Sequence, residues 1–313
     1  FGSSILRLTG SHLPVRRQKM MSVMSQRSRC CLLILALAKL DLVLGSSKRG
    51  IARTGLTPRE LQALLPSVTW TYNWKLSPGP SARSSSVDFM PMVHGRQFSR
   101  SDYSAQANAL LGFNEPDIDT QAHLSPGEAA AMWPEVEQMA NQLGVQTLVS
   151  PAMCGDIGKG TSWMGSFLNA CQNCRIDAIA IHSYWCTLGG IQNLVGNYRR
   201  FGKKIWLTEF ACADPNFDVS MDGQIRFMKE VVPWLESEDL IEKYAWFSYF
   251  TNQWQYAITN PSPDAGLVHP NGDLSPLGRV YVNLGQNRRL NPVNGTSEET
   301  ESAKYTETEP IFA

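Results

Sequence analysis

The stretch Ala109-Leu110-Leu111-Gly112-Phe113-Asn114-Glu115-Pro116-Asp117 does most to limit what this chain can fold into. An apolar run of strand length ends on an amide and a carboxylate side by side, and Pro116 then forbids further ladder pairing. Further along, Lys204-Ile205-Trp206-Leu207-Thr208-Glu209-Phe210 repeats the arrangement, a short apolar strand whose last polar residue is a glutamate. Two such strand ends in a chain of alternating strands and helices predict a parallel barrel, where chemistry gathers at the C-terminal ends of the strands.

The alternation runs from Lys48 onward. Lys48 to Ala52 reads as a first strand and Thr57-Pro58-Arg59-Glu60 as a capping box that opens a helix. Val68 to Asn73 is a second strand, followed by a Ser, Pro and Gly-rich stretch from Ser77 to Ser86 that reads as a loop in place of a helix. Val87 to Val93 is a third strand, ending at His94, and Ala109 to Phe113 a fourth. Ser125-Pro126-Gly127-Glu128 opens a helix that Gly144 stops. Thr147 to Ser150 and Asp177 to Ile181 are strands five and six, the latter continuously apolar, as burial on both faces requires. A helix through Val195 to Phe201, strand seven with Glu209, a helix from Gln224 to Leu235, strand eight at Tyr244 to Phe247 and a helix from Ser275 to Leu284 complete the count. Eight strands over roughly 240 residues fit a single-domain α/β chain, a (β/α)8 TIM barrel. No glycine-rich phosphate loop follows the first strand, which argues against a nucleotide-binding open sheet.

The flanks have a different character. Arg16, Arg17, Lys19, Arg27 and Arg29 precede the apolar run Cys30 to Ala38, the order of a signal peptide, so residues 1–45 read as a leader and the protein as secreted. The absence of an early initiator methionine, with Phe1 first, suggests that the upstream part is not natural coding sequence. The run is short and interrupted by Lys39 and Asp41, so no membrane anchor is expected. Residues 48–290 read as the single folded domain, and 291–313 as a polar tail expected to be disordered, with Asn294-Gly295-Thr296 a glycosylation sequon.

Charge and cysteines exclude other classes. Lys plus Arg (28) balances Asp plus Glu (28), so no nucleic-acid partner is suggested. Cys171 and Cys174 have a zinc-like spacing, but no second pair or histidine cluster stands at ligand distance, so no metal and no cofactor are expected. Disulfides are the better reading. Cys186 and Cys212 lie just beyond the ends of consecutive strands, whose neighbouring loops a bridge can join. The remaining cysteines are odd in number, and one thiol stays free or pairs with another chain.

The motifs Gly112 to Asp117, Ser150-Pro151-Ala152, Asp177 to His182, Trp206 to Phe210 and Trp246-Phe247 resemble the Asl1-like glycosyl hydrolase catalytic domain, glycoside hydrolase family 128 of clan A. The resemblance spans about Lys48 to Leu290 and implies a retaining glycosidase that hydrolyses β-1,3-glucan, expected to act endo and as a monomer. It implies Glu115 as acid/base, Glu209 as nucleophile, Asn114 as the amide that holds the hydroxyl beside the reacting carbon, and Tyr184 as the tyrosine that orients the nucleophile. His94 and Ser183 stand where family members often carry tryptophans.

The chemistry asks for the same two carboxyls independently. Glycosidic cleavage passes through an oxocarbenium-like state, so one carboxyl protonates the leaving oxygen while the other attacks from the opposite face. His182, at the end of a buried strand, is read as equally a core histidine or a member of the substrate network. Asp117, Asp156 and Asp214 read as loop caps. Trp74, Trp185, Trp246 and Trp254 are candidates to floor a sugar cleft, with Trp246 foremost because it ends the strand beside Glu209. Two other readings remain open: the same fold acting on mannan or a β-1,4 chain, and a catalytically weak wall-binding protein.

Overall fold

The computed structural model of the chain describes residues 46–78, 86–99, 107–250 and 264–284. The expected leader, the expected tail with Asn294, Trp254 and most of the Ser77 to Ser86 loop lie outside the described residues. Eight strands, β1 (Arg49–Ala52), β2 (Trp70–Tyr72), β3 (Asp88–Phe89), β4 (Ala109–Leu111), β5 (Thr147–Met153), β6 (Ala178–Ser183), β7 (Lys204–Phe210) and β8 (Ile241–Phe247), form one sheet. Its order is β3-β2-β1-β8-β7-β6-β5-β4, and the named pairs are parallel. The two edges meet: the Leu111 N–H donates to the Pro91 carbonyl at 2.9 Å and the Val93 N–H to the Leu111 carbonyl at 3.0 Å. The sheet is therefore drawn round into the expected barrel.

The period-two alternation of the strands sorts their side chains onto two faces. One buried cluster takes residues from seven of the strands and from the extended segment after β3, and none from the helices, including Ala52, Trp70, Tyr72, Met90, Met92, Ala178, Ala180, Trp206 and Ala245. That cluster is the barrel interior. Alanines on five strands leave room for the indoles of Trp70 and Trp206, whose centroids lie 5.5 Å apart. Gly50 is part of the same fit, since a Cβ there would stand 2.3 Å from the Trp70 ring. The intervening residues, Ile51, Ile179, Ile181, Ile205 and Leu207, face outward into the larger cluster shared with the helices. At about 1.5–3 kcal/mol for each large apolar side chain withdrawn from water, this outer layer is the main source of stability.

The described helices are α1 (Pro58–Leu64), α2 (Pro126–Leu143), α3 (Ile157–Ala170), α4 (Leu188–Tyr198), α5 (Met221–Ser237) and α6 (Pro276–Asn283). Both expected capping boxes form, with Thr57 and Glu60 on α1 and Ser125 and Glu128 on α2. Gly144 ends α2 in the left-handed conformation, φ 64°. Helix α3, capped by Asp156, is an addition to the expected elements.

Two strands differ from expectation because of proline. β3 is cut to two residues because Pro91 has no N–H for the ladder, though the chain continues extended to Val93. β5 runs on through Pro151 to Met153, because the register shifts there and the Ser150 hydroxyl accepts the Ala180 N–H at 2.9 Å.

Candidate active site

Asn114 and Glu115 follow β4 directly and are pinned to both neighbouring strands. The Asn114 N–H donates to the His94 carbonyl at 2.8 Å and the Glu115 N–H to the Ala152 carbonyl at 2.9 Å. Gly112 allows this approach, since a Cβ there would lie 2.8 Å from the Pro151 nitrogen. The turn that follows is tight enough to hold Glu115 at φ 41°. A glutamate in that region costs about 1–3 kcal/mol, and surrounding structure must supply it. The result is a carboxylate only 5% exposed, aimed inward at the C-terminal end of the barrel.

Glu209, at the end of β7, is 4% exposed and surrounded by donors. Its Oε1 accepts the Tyr72 hydroxyl at 3.0 Å and the Trp74 indole N–H at 2.7 Å. Its Oε2 accepts the Tyr184 hydroxyl in a short contact. Burial, then the charge of Glu209, pushes both tyrosines well above the ordinary phenol range, so they remain donors at any working pH. Tyr72 was not singled out from sequence. The signal was the Tyr72-Asn73-Trp74 ending of β2, the same kind of polar strand end that marked Glu209.

His182 is fully buried between the two carboxylates. Its Nδ1 lies 2.7 Å from Glu115 Oε1 and its Nε2 3.4 Å from Glu209 Oε1. Burial alone lowers a histidine, but here the carboxylates of Glu209 and Glu115 outweigh it and the ring is held above its ordinary range. Of the two readings of His182 from sequence, the network is the one its geometry fits. One oxygen from each glutamate and a His182 nitrogen lie within 4.8 Å of one another, a spacing open to a cation. The contacts they make are those of proton sharing: Glu209 already accepts from three donors, and His182 Nδ1 is engaged by Glu115.

The other sequence candidates divide. The Asn114 side-chain nitrogen donates to Gln121 at 3.2 Å, while its Oδ1 is buried without a protein partner, an acceptor suited to an incoming hydroxyl. His94 is close enough to feel Glu115; burial outweighs that charge and keeps the ring below its ordinary range, hence neutral. Trp185 is partly exposed, its N–H bound to the Gly155 carbonyl at 3.2 Å. Trp246 is a correction: it is 0% exposed and donates to the Ala265 carbonyl at 2.8 Å. It packs on Phe210, Phe227 and Tyr281, in the layer between barrel and helices, and has no face for a sugar. Phe247 is the side chain that β8 sends toward Trp74 and Tyr184, with centroids at 5.6 and 5.7 Å.

The three aspartates behave as loop caps: Asp156 accepts the Lys159 N–H, Asp214 the Asn216 N–H, and Asp117 the Cys154 N–H. Cys186 and Cys212 form the expected disulfide, Cα atoms 4.4 Å apart, which ties the loop after β6 to the loop after β7. Cys171 and Cys174 are bonded to each other, and Cys154 is the free thiol among the described residues.

A barrel of parallel strands with buried carboxylates converging from the ends of β4 and β7 is the architecture of a glycoside hydrolase. Residues 51–281 match the family described as the glycosyl hydrolase catalytic core, and the chain belongs to it. A solved family 128 (subgroup II) endo-β-1,3-glucanase from Sorangium cellulosum is 35% identical, with a TM-score of 0.65 over 75% of this chain and 98% of that one. Its counterpart from Pseudomonas viridiflava is 30% identical, with a TM-score of 0.64 over 77% of this chain and 98% of that one. The alkali-sensitive linkage protein 1 of Schizosaccharomyces pombe is 29% identical over 222 residues. That match covers 69% of this chain and 40% of the relative, so the chain spans less than half the length of the curated protein it resembles.

Proposed function

We propose that the chain is a secreted retaining endo-β-1,3-glucanase. The observation that carries the reaction is the Glu115–His182–Glu209 cluster, whose ligand-type atoms lie within 4.8 Å of one another. That closeness suits double displacement, for which carboxyls stand about 5–5.5 Å apart, better than inversion, which needs roughly 6.5–9.5 Å for a water. The two solved relatives are endo-β-1,3-glucanases, which supports the substrate. Two disulfides support an oxidising, extracellular compartment, and no described helix is long and apolar enough to cross a membrane.

The residues divide the work as follows. Glu115 gives its proton to the leaving glycosidic oxygen while Glu209, oriented by hydrogen bonds from Tyr72, Trp74 and Tyr184, attacks the anomeric carbon. The aglycone half departs and a glycosyl ester remains on Glu209. Glu115, now a carboxylate, takes a proton from water, whose oxygen attacks the same carbon and displaces Glu209. Asn114 Oδ1 accepts the adjacent sugar hydroxyl, an interaction that strengthens as charge develops on the ring. His182, 2.7 Å from Glu115, is the group across which that proton is shared between steps.

Purified protein on linear β-1,3-glucan, β-1,4-glucan and mannan, with the first product examined by proton NMR, tests this reading. The expected result is internal cleavage of the β-1,3 chain with the product initially in the β configuration. Cleavage of another linkage, or an initial α product, overturns it.

A further inference from the structure

Trp74 carries an observation that a sugar platform does not explain. Its indole N–H lies 2.7 Å from Glu209 Oε1, and its ring is boxed by Tyr72, Phe247 and Tyr249 at centroid distances of 5.1, 5.6 and 6.3 Å. The backbone there is left-handed, φ 61°, a conformation costly for a bulky side chain. Trp74 and Glu115 are two of the three non-glycine residues with positive φ among the described residues, and both converge on the carboxylate cluster.

Chemistry separates Trp74 from the other donors on Glu209. A tyrosine hydroxyl donates or accepts, whereas an indole N–H only donates. Tyr72 and Tyr184 therefore tolerate a protonated Glu209, but Trp74 requires Oε1 to present a lone pair. We infer that Trp74 is a positioning residue for the Glu209 nucleophile: its N–H fixes Oε1 as an acceptor, and its ring serves to aim that N–H. The inference rests on the assignment of Glu209 as nucleophile.

The two chemical steps feel this donor differently. In the first, Glu209 loses negative charge as its ester forms, so a donor to the carboxylate orients it while restraining its attack. In the second, Glu209 leaves as a carboxylate, and the same donor stabilises the departing charge. Loss of the N–H therefore slows breakdown of the glycosyl-enzyme more than its formation. A donor to a charged group is worth enough to change that step by about ten- to a hundredfold. A carboxylate that loses a donor to its charged form also holds its proton to higher pH, so the acid limb of kcat/KM moves upward.

The test replaces Trp74 with benzothienylalanine, in which sulfur occupies the place of the N–H while ring shape is kept, alongside Trp74→Phe. Each is assayed on an aryl β-1,3-glucan oligosaccharide with an activated leaving group. The expected result is a lower kcat, a lower KM, a burst of phenol close to one per enzyme, and an acid limb displaced to higher pH. Should Trp74→Phe fail to fold, the benzothienyl variant still isolates the hydrogen bond. A raised KM with kcat, burst and pH profile as in wild type makes Trp74 a sugar platform and overturns the inference. A wild-type protein that releases no phenol and takes no covalent label on Glu209 overturns instead the assignment beneath it.

Discussion

His182 Nδ1 stands 2.7 Å from Glu115 Oε1, with both groups withdrawn from solvent. At that distance one proton serves both, and whichever group holds it, the other accepts. Because Nε2 of the same ring lies 3.4 Å from Glu209 Oε1, His182 links the two carboxyls proposed as acid/base and nucleophile.

This arrangement makes stability depend on pH in a defined direction. The charges of Glu209, Glu115 and Asp117 together lift His182 above its unfolded value against the opposing effect of burial. A group raised on folding contributes stability that is complete below the unfolded value, near pH 6.5, and is lost as pH rises through the folded one. His182→Gln should therefore cost most at acid pH, roughly 1–3 kcal/mol for a buried partner removed. Urea unfolding of wild type and variant at pH 5.5 and pH 9 measures it. A cost that grows with pH would contradict the direction given.

Tyr72 and Tyr184 act on one carboxylate from opposite sides, so their effects should not multiply. Tyr184→Phe and Tyr72→Phe each remove a donor to a charged oxygen and should lower kcat/KM by about tenfold or more. The double variant should fall short of the product of the two, because the second loss acts on a nucleophile already displaced. Steady-state kinetics of the four proteins on one substrate give the coupling directly, and strict additivity would mean that the tyrosines work independently.

The Cys186–Cys212 bridge closes a loop across 26 residues between the ends of β6 and β7. Chain entropy for a loop of that size corresponds to about 3.5 kcal/mol, against roughly half of that for the short Cys171–Cys174 link. Replacing Cys186 and Cys212 by serine should lower unfolding free energy by about twice the effect of the same change at Cys171 and Cys174. Equal effects in denaturant would show that the longer bridge constrains nothing that the barrel does not already hold.

Much of this site was legible in the chain because chemistry and strand endings coincide. Glu115, His182, Tyr184 and Glu209 each follow an apolar run too short for a helix, and a parallel barrel sends such ends to one face. Trp246 was misread for a reason of parity: β8 alternates without interruption, Ala245 and Phe247 facing the barrel interior, so the indole between them turns outward into the layer shared with the helices. Helix α3 was missed because Gly158, Gly160 and Gly165 dilute its helical signal. Its tight fit explains one of them, since a Cβ on Gly160 would lie 2.4 Å from the Tyr198 hydroxyl. Trp74 was noticed for its aromatic face, which a sequence shows, whereas the direction of its N–H depends on a left-handed backbone that tryptophan seldom adopts.

The division of labour proposed for Glu115 and Glu209 yields the sharpest prediction. Glu209→Gln removes the attacking carboxylate, so no glycosyl-enzyme should form and turnover should fall by several orders of magnitude on every substrate. Glu115→Ala leaves the attack intact but withdraws the proton that the leaving group needs and the base that activates water. On an aryl glycoside with a good leaving group the first step proceeds without that proton, and the ester on Glu209 accumulates because water is no longer activated. Azide needs no base. Added to Glu115→Ala, it should enter the space vacated by the carboxylate, attack the anomeric carbon on the face that water uses, and restore turnover while giving a β-glycosyl azide. The same azide should do nothing for wild type, whose charged Glu115 repels it. An α-glycosyl azide from Glu115→Ala would mean direct displacement with no ester on Glu209. Rescue of Glu209→Gln in place of Glu115→Ala would exchange the roles of the two residues.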